Sequence, residues 1–243
     1  MKTLLDNKLA PLTFSFGFLE MPFQTVVDAY VGWHKELNLS VVISPIELPL
    51  EHALLKLEPL ITPHSKQLLM ATQSAWTAYF DNGINGGDPF TPISYLSQRL
   101  HCRGLKVTCQ PHIMFSEDKA ERGNFGAVQF QLFAPEERDF LNIERSIIAM
   151  NDGGPWIFET AGEIQPFERV EKYKAKRIRD RFTDDLLEEY CLALGIRLFD
   201  AEFYGPWGVL IEILDHLQAE TTALTLIEAR WRLGLENSDR PVN

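Results

Sequence analysis

The sequence has few cysteines and no long apolar run. Its 243 residues include only Cys102, Cys109 and Cys191, an odd number without a close pair. Such sparse cysteines are typical of a reducing compartment and disfavour a disulfide-rich secreted domain. No stretch of about 18 consecutive apolar residues occurs, so no transmembrane helix is expected. Asp6 falls where the apolar segment of a signal peptide would lie. We therefore expect a soluble cytoplasmic protein without a membrane partner.

Motifs for common enzyme chemistry are also absent. The sequence has no Gly-x-Ser-x-Gly elbow and no His-Glu-x-x-His pair, and the glycine-rich loop at 78–90 lacks the lysine of a Walker loop. The spacing of His101, Cys102, Cys109 and His112 matches no common zinc pattern. We interpret both cysteines as core residues, and the sequence predicts neither a metal nor a cofactor.

Positive charge is scarce. There are 23 Lys and Arg against 34 Asp and Glu, which gives a net charge of −11. A field of that sign repels nucleic acid and attracts a basic protein surface, so we expect a protein partner and no nucleic acid. The exception is the basic segment 169–181, whose only aromatic residue is Tyr173. We interpret it as a solvated linker, or as a segment that packs against acidic surface of the same chain.

The first part of the chain predicts a strand-helix-strand unit. "LTFSFGF" at 12–18 alternates like a strand, and "PFQTVVDAYVGWHKEL" at 22–37 places apolar residues on one helical stripe. "LSVVIS" at 39–44 has the composition of a buried strand. A short helix is expected near 50–57, between prolines.

The middle of the chain predicts a mainly antiparallel sheet. A helix capped by Thr91 and ended by Gly104 interrupts it. Short turns join the predicted strands, and such turns cannot connect parallel strands. The strands are expected at 66–72, 75–81, 105–110, 127–133, 142–150 and 155–161.

The last third is predicted to be helical. Thr183 suits the N-cap of a helix that runs to Leu194. "GPWGVLIEILDHLQ" at 205–218 and "ALTLIEARWRLG" at 223–234 also carry apolar residues at helical spacing. The polar residues 236–243 are expected to form a disordered tail.

These patterns predict one compact α+β domain over residues 1–243. A mainly antiparallel sheet from the middle of the chain would carry the N-terminal strand-helix-strand unit and a C-terminal helical group packed on it. A soft division is expected near 168–180.

The stretch "AYFDNGINGGDPF" at 78–90 is the most polar break in this pattern. A phosphate cradle would place its N–H groups at a helix N-terminus, but these glycines lie several residues before Thr91. An EF-hand would need a glutamate at its twelfth position, which is Pro92 when counted from Asp81. We interpret the stretch as a strand-to-helix turn that could also contact a ligand or partner. The candidate contact residues here are Asp81, Asn82, Asn85 and Asp88.

Three further residues are candidate ligand or partner contacts. His112 follows a strand, and histidine is the residue type whose ordinary pKa lies near neutrality. Trp156 follows a Gly-Gly-Pro turn and is a candidate anchor for a partner. Glu159 lies on a predicted strand. The carboxylates at 184–189 complement a helix dipole and continue along a solvated face, so we assign them no site.

Two functions follow from these observations. The first is a non-catalytic cytoplasmic interaction protein, such as a bacterial immunity or inhibitor protein that neutralises a basic toxin by complementary charge. The alternative is an enzyme of unfamiliar type with a site near the 81–88 loop, using His112 or Glu159. Convergence of these groups in one concave pocket would favour the enzyme, whereas dispersal would favour the interaction protein.

Overall fold

A nine-stranded antiparallel sheet dominates the fold. The computed structural model describes residues 1–113, 122–136, 138, 141–214 and 222–236. Within these ranges, eleven strands and five α-helices form a mixed α+β architecture with helices packed on the sheet, which confirms the predicted class. The predicted tail beyond residue 236 lies outside the described residues. No helix in the described ranges has the length and apolar character needed to cross a membrane.

The order of strands in the large sheet is β2-β10-β4-β5-β1-β6-β7-β8-β9, and β11 pairs with β3 in a separate two-stranded sheet. The predicted hairpins at β4–β5 and β8–β9 are both present. The strands are β1 (Ser15–Leu19), β2 (Val41–Glu47), β3 (Leu60–Thr62), β4 (Lys66–Thr72), β5 (Thr77–Asp81), β6 (Gly104–Gln110), β7 (Ala127–Phe133), β8 (Ile143–Met150), β9 (Ile157–Gly162), β10 (Tyr204–Ile213) and β11 (Thr222–Leu224).

Helices pack on both faces of the sheet. Because successive residues of a strand point to opposite faces, each central strand contributes to two cores. The larger core lies between the sheet and α2, α4 and α5, and the smaller one lies under α1 and α3. The helices are α1 (Phe23–Glu36), α2 (Leu50–Leu54), α3 (Phe90–Leu100), α4 (Asp184–Ala193) and α5 (Leu226–Arg232).

Local signals explain where the helices begin. The Thr183 side chain accepts a hydrogen bond from the N–H of Leu186, as predicted for the start of α4. Helix α5 begins one residue after Thr225, which forms a capping box with Glu228. Helix α3 starts at Phe90 without a side-chain cap, so the predicted cap at Thr91 is wrong.

The prediction of a helix at 205–218 is wrong. Tyr204–Ile213 form strand β10, which pairs with β2 on one side and with β4 on the other. A central strand with apolar residues on both faces gives a nearly continuous apolar run, and such a run also fits helical spacing. The C-terminal helical group therefore consists of α4 and α5 with strands β10 and β11 between them, while residues 215–218 lie outside the described residues.

A buried ion pair ties the basic segment to the sheet. The Arg145 guanidinium on β8 donates to both carboxylate oxygens of Glu168, at 2.8 and 2.7 Å. The two side chains are only 4% and 0% exposed. Glu168 also accepts hydrogen bonds from the Tyr173 hydroxyl and the Gln165 N–H, each at 2.8 Å. The basic segment 169–181 is therefore anchored on β8 through Glu168, the residue that precedes it. Arg169 then pairs with Glu189 of α4 at 3.5 Å.

Candidate functional site

Asp81 closes the glycine-rich loop from inside. It ends β5 and is fully buried. Its Oδ1 accepts the N–H of Gly83 at 3.0 Å, and its Oδ2 accepts the N–H of Asp88 at 2.9 Å. Burial raises the pKa of the Asp81 carboxyl, against the opposing effect of these hydrogen bonds. The carboxylate thus holds the backbone of the loop together.

Asn82 fixes the loop to neighbouring segments of the same chain. Its Oδ1 accepts the N–H groups of Ser65 and Lys66, both at 2.9 Å, and its Nδ2 donates to the carbonyl of Pro59 at 2.8 Å. Both polar atoms of the Asn82 amide are therefore engaged in hydrogen bonds within the fold. Only Asn85 and Asp88 of the four loop candidates are exposed, and Asn85 accepts a hydrogen bond from Arg232.

The glycines of the loop are required because side chains at their positions would clash with neighbouring backbone atoms. A Cβ on Gly87 would lie 2.4 Å from the carbonyl oxygen of Ser15, and a Cβ on Gly83 would lie 2.4 Å from that of Gly86. Gly86 itself has a φ of +112°, which side-chain-bearing residues rarely adopt. The loop geometry is accordingly that of a tight connection pressed against β1.

His112 and Trp156 lie together at one end of the sheet. The His112 Nδ1 accepts the N–H of Gly126 at 3.2 Å, and its ring packs edge-on against Trp156 with centroids 5.7 Å apart. A Cβ on Gly126 would lie 2.7 Å from the Cβ of His112 and 2.9 Å from the Trp156 ring. The absence of a side chain at position 126 thus permits this contact.

Glu159 is exposed on β9, which is an edge strand of the large sheet. It belongs to a row of directly paired residues that runs across the sheet through Ile148, Gln129 and Thr108 to Ser15. Since neighbouring strands are about 4.8 Å apart, Glu159 lies roughly 19 Å from β1, against which the loop packs. The predicted candidates are therefore dispersed over the sheet and do not gather in one pocket.

Lys106 was missed by the sequence analysis, although it lies on the same face of the sheet as Glu159. Its Nζ donates to Oε1 of Gln129 and to Oε1 of Gln131, both at 2.9 Å. Burial lowers the pKa of Lys106 to about 8, while the charge of Asp88 acts in the opposite direction. The polar positions that alternate in "LKVTCQ" and "AVQFQLF" were the available signal. The side chains on this face form a polar strip, here called the Lys106 strip, which consists of Lys106, Gln129, Gln131, Thr108 and Ser15.

The acidic side of α4 borders a cavity that the sequence analysis also missed. The cavity has a volume of about 430 Å³. Lys2 reaches into it, with its Nζ 2.7 Å from Glu188 and 3.1 Å from Asp185. These bonds raise the pKa of Lys2. The lining residues are Lys2, Asp185, Glu188, Glu189, Leu192, Ile196, Arg197 and Asp200.

The reactivity of the cysteines tests whether they are buried in the core. All three are free and buried. Burial raises the pKa of Cys102 and of Cys109 to about 12, and raises that of Cys191 well above its usual value. Because the thiolate is the reactive form, we expect no alkylation by iodoacetamide at pH 8 in the native protein and three additions after unfolding in urea, measured by intact mass. Labelling of folded protein at Cys102 would contradict this assignment.

Metal ligands do not cluster in the described ranges. Across them, no group of three or more His, Cys, Asp or Glu side chains is placed to hold an ion. Two polar arrangements remain as candidate sites: the Lys106 strip and the cavity beside α4, which lie on opposite faces of the sheet.

Comparison with known proteins adds no assignment: no family model, curated protein or solved structure matches this chain.

Proposed function

We propose that this chain is a non-catalytic interaction protein that binds a basic protein partner through the cavity beside α4. The observation that carries the proposal is the position of Lys2. Its ammonium group lies between two carboxylates of the cavity, Asp185 and Glu188. A lysine or arginine of a partner would find the same chemistry there, either beside Lys2 or in its place.

The exposed groups around the cavity suit such a contact. Asp185 is 76% exposed and Glu189 is 47% exposed, so both can meet a partner. Leu192, which is 59% exposed, adds an apolar surface at the same place. The net charge of −11 would steer a basic protein toward this chain and speed its association. An inhibitor or immunity protein that neutralises a basic toxin is the version of this function that we favour.

The cytoplasm is the compartment we propose, because three free, buried thiols suit a reducing environment. An enzyme with a site near the 81–88 loop is the weaker alternative. Asp81 and Asn82 already satisfy backbone groups of the fold, and Glu159 is remote from them. A general acid or base needs to reach a substrate atom, which these two buried side chains would do only if the loop opened.

Charge reversal beside α4 tests the proposal. We expect a tagged wild-type chain to co-purify from its host with a basic protein. The double variant D185K/E189K should lose that protein, because two attractive contacts become repulsive. Association of the purified pair, followed by biolayer interferometry, should slow as salt is raised.

The matched control is D28K/E47K. Asp28 on α1 and Glu47 on β2 are exposed, and their reversal changes the net charge by the same amount. This variant should keep the partner. If both double variants lose it equally, binding depends on total charge and the α4 site is wrong. A chain that elutes alone from the host, or whose partner is acidic, would overturn the proposed function.

A further inference from the structure

Lys106 is a mostly buried cation without a carboxylate partner among the described residues. In the part of the chain that the structure describes, its hydrogen bonds go to the amide oxygens of Gln129 and Gln131 and it forms no ion pair. Buried charges in proteins are usually paired, because losing water is costly for an ion. The missing counter-charge leaves a place for an anion.

Hydrogen-bond donors without a partner among the described residues lie at and beside Lys106. A lysine ammonium has three N–H groups, of which two are used here. No described residue accepts a hydrogen bond from the amide nitrogen of Gln131. Beside them, the Thr108 hydroxyl lies 3.2 Å from that of Ser15. Such a site favours a ligand that only accepts hydrogen bonds.

The helices that pack on the same face leave this part of the sheet only partly covered. Helix α3 packs on β1, on Phe133 at the end of β7 and on the start of β6, where Ile93 lies against Gly104. Lys106 on β6 and Gln129 on β7 remain partly exposed. A small ligand therefore has access to the polar strip.

We propose that Lys106 and Gln131 form a binding site for the carboxylate group of a small ligand. One carboxylate oxygen would accept the remaining N–H of Lys106, and the other would accept the amide N–H of Gln131. Asp88 contributes a negative potential at Lys106, which favours a singly charged carboxylate over a phosphate dianion. The site is on the sheet face opposite α4, so it is independent of the proposed protein contact.

Acetate is the probe for this site. In protein with ¹³C-labelled lysine, the Cε signal of Lys106, assigned by its loss in Lys106→Met, should shift saturably with sodium acetate at pH 7. Sodium chloride at equal ionic strength should leave it unchanged. Bound acetate should raise the pKa of Lys106 by about 1 unit or more, because a nearby opposite charge stabilises the ammonium. The exposed Lys56 provides an internal control signal.

The variant Gln131→Glu imitates the ligand. It has the shape of glutamine and places a carboxylate where the amide oxygen is 2.9 Å from the Lys106 Nζ. The pKa of Lys106 should rise without acetate, and the response to acetate should disappear. A folded wild-type protein that responds to chloride as it does to acetate would overturn the proposal. So would a stronger response to phosphate, or an acetate response that survives in Gln131→Glu.

Discussion

Replacement of Arg145 by methionine is expected to lower the free energy of unfolding by about 3–5 kcal/mol. The reason is the carboxylate that remains. The Glu168 side chain is fully buried and would keep only the hydrogen bonds from Tyr173 and Gln165 after its bidentate partner is removed. Arg145 also donates to the carbonyls at 161 and 162, and these would lose a donor too. Urea unfolding followed by circular dichroism measures the loss.

A surface pair provides the comparison for this variant. Arg138 and Glu163 are 3.4 Å apart, with side chains 40% and 73% exposed. Arg138→Met should cost no more than about 1 kcal/mol, because water screens an exposed pair. The double variant R145M/E168M should recover part of the loss of Arg145→Met, since it removes the stranded charge. Equal losses in Arg145→Met and Arg138→Met would show that burial adds nothing to the first pair.

Local signals made much of this fold predictable from sequence. The cap at Thr183, the alternation in β6 and β7 and the turn between β8 and β9 each depend on residues a few positions apart. Strand β10 was not predictable in this way. Its neighbours β2 and β4 come from more than 130 residues earlier in the chain, and their pairing decides the conformation of an apolar run.

The candidate sites were less predictable because their contacts are distant in sequence. Lys106 meets Gln131 only in the observed register of β6 and β7, and a shift by one residue would move it to the other face. Lys2 reaches α4 across more than 180 positions. The sequence identified His112 and Trp156 separately, but their contact depends on Gly126 and on the fold.

The penalty for burying Lys106 should appear as a pH-dependent effect of Lys106→Met. The pKa of this lysine falls from 10.5, its usual value, to about 8 in the fold. Between these values the unfolded chain binds the proton and the folded chain does not, so the contribution of Lys106 to stability rises with pH. Below pH 8 both states are protonated, and the folded state carries the full cost of a buried ammonium, about 3 kcal/mol.

The relevant measurement is the difference in unfolding free energy between wild type and Lys106→Met at pH 7 and pH 10. Tyrosine and cysteine side chains that titrate in this range are common to both proteins, so their effects cancel. The wild type should gain about 2–3 kcal/mol relative to the variant as the pH rises. The matched variant Lys56→Met should show no such change, because the exposed Lys56 is solvated in both states. A difference that is constant between the two pH values would mean that Lys106 stays charged throughout, with a counter-charge close to it.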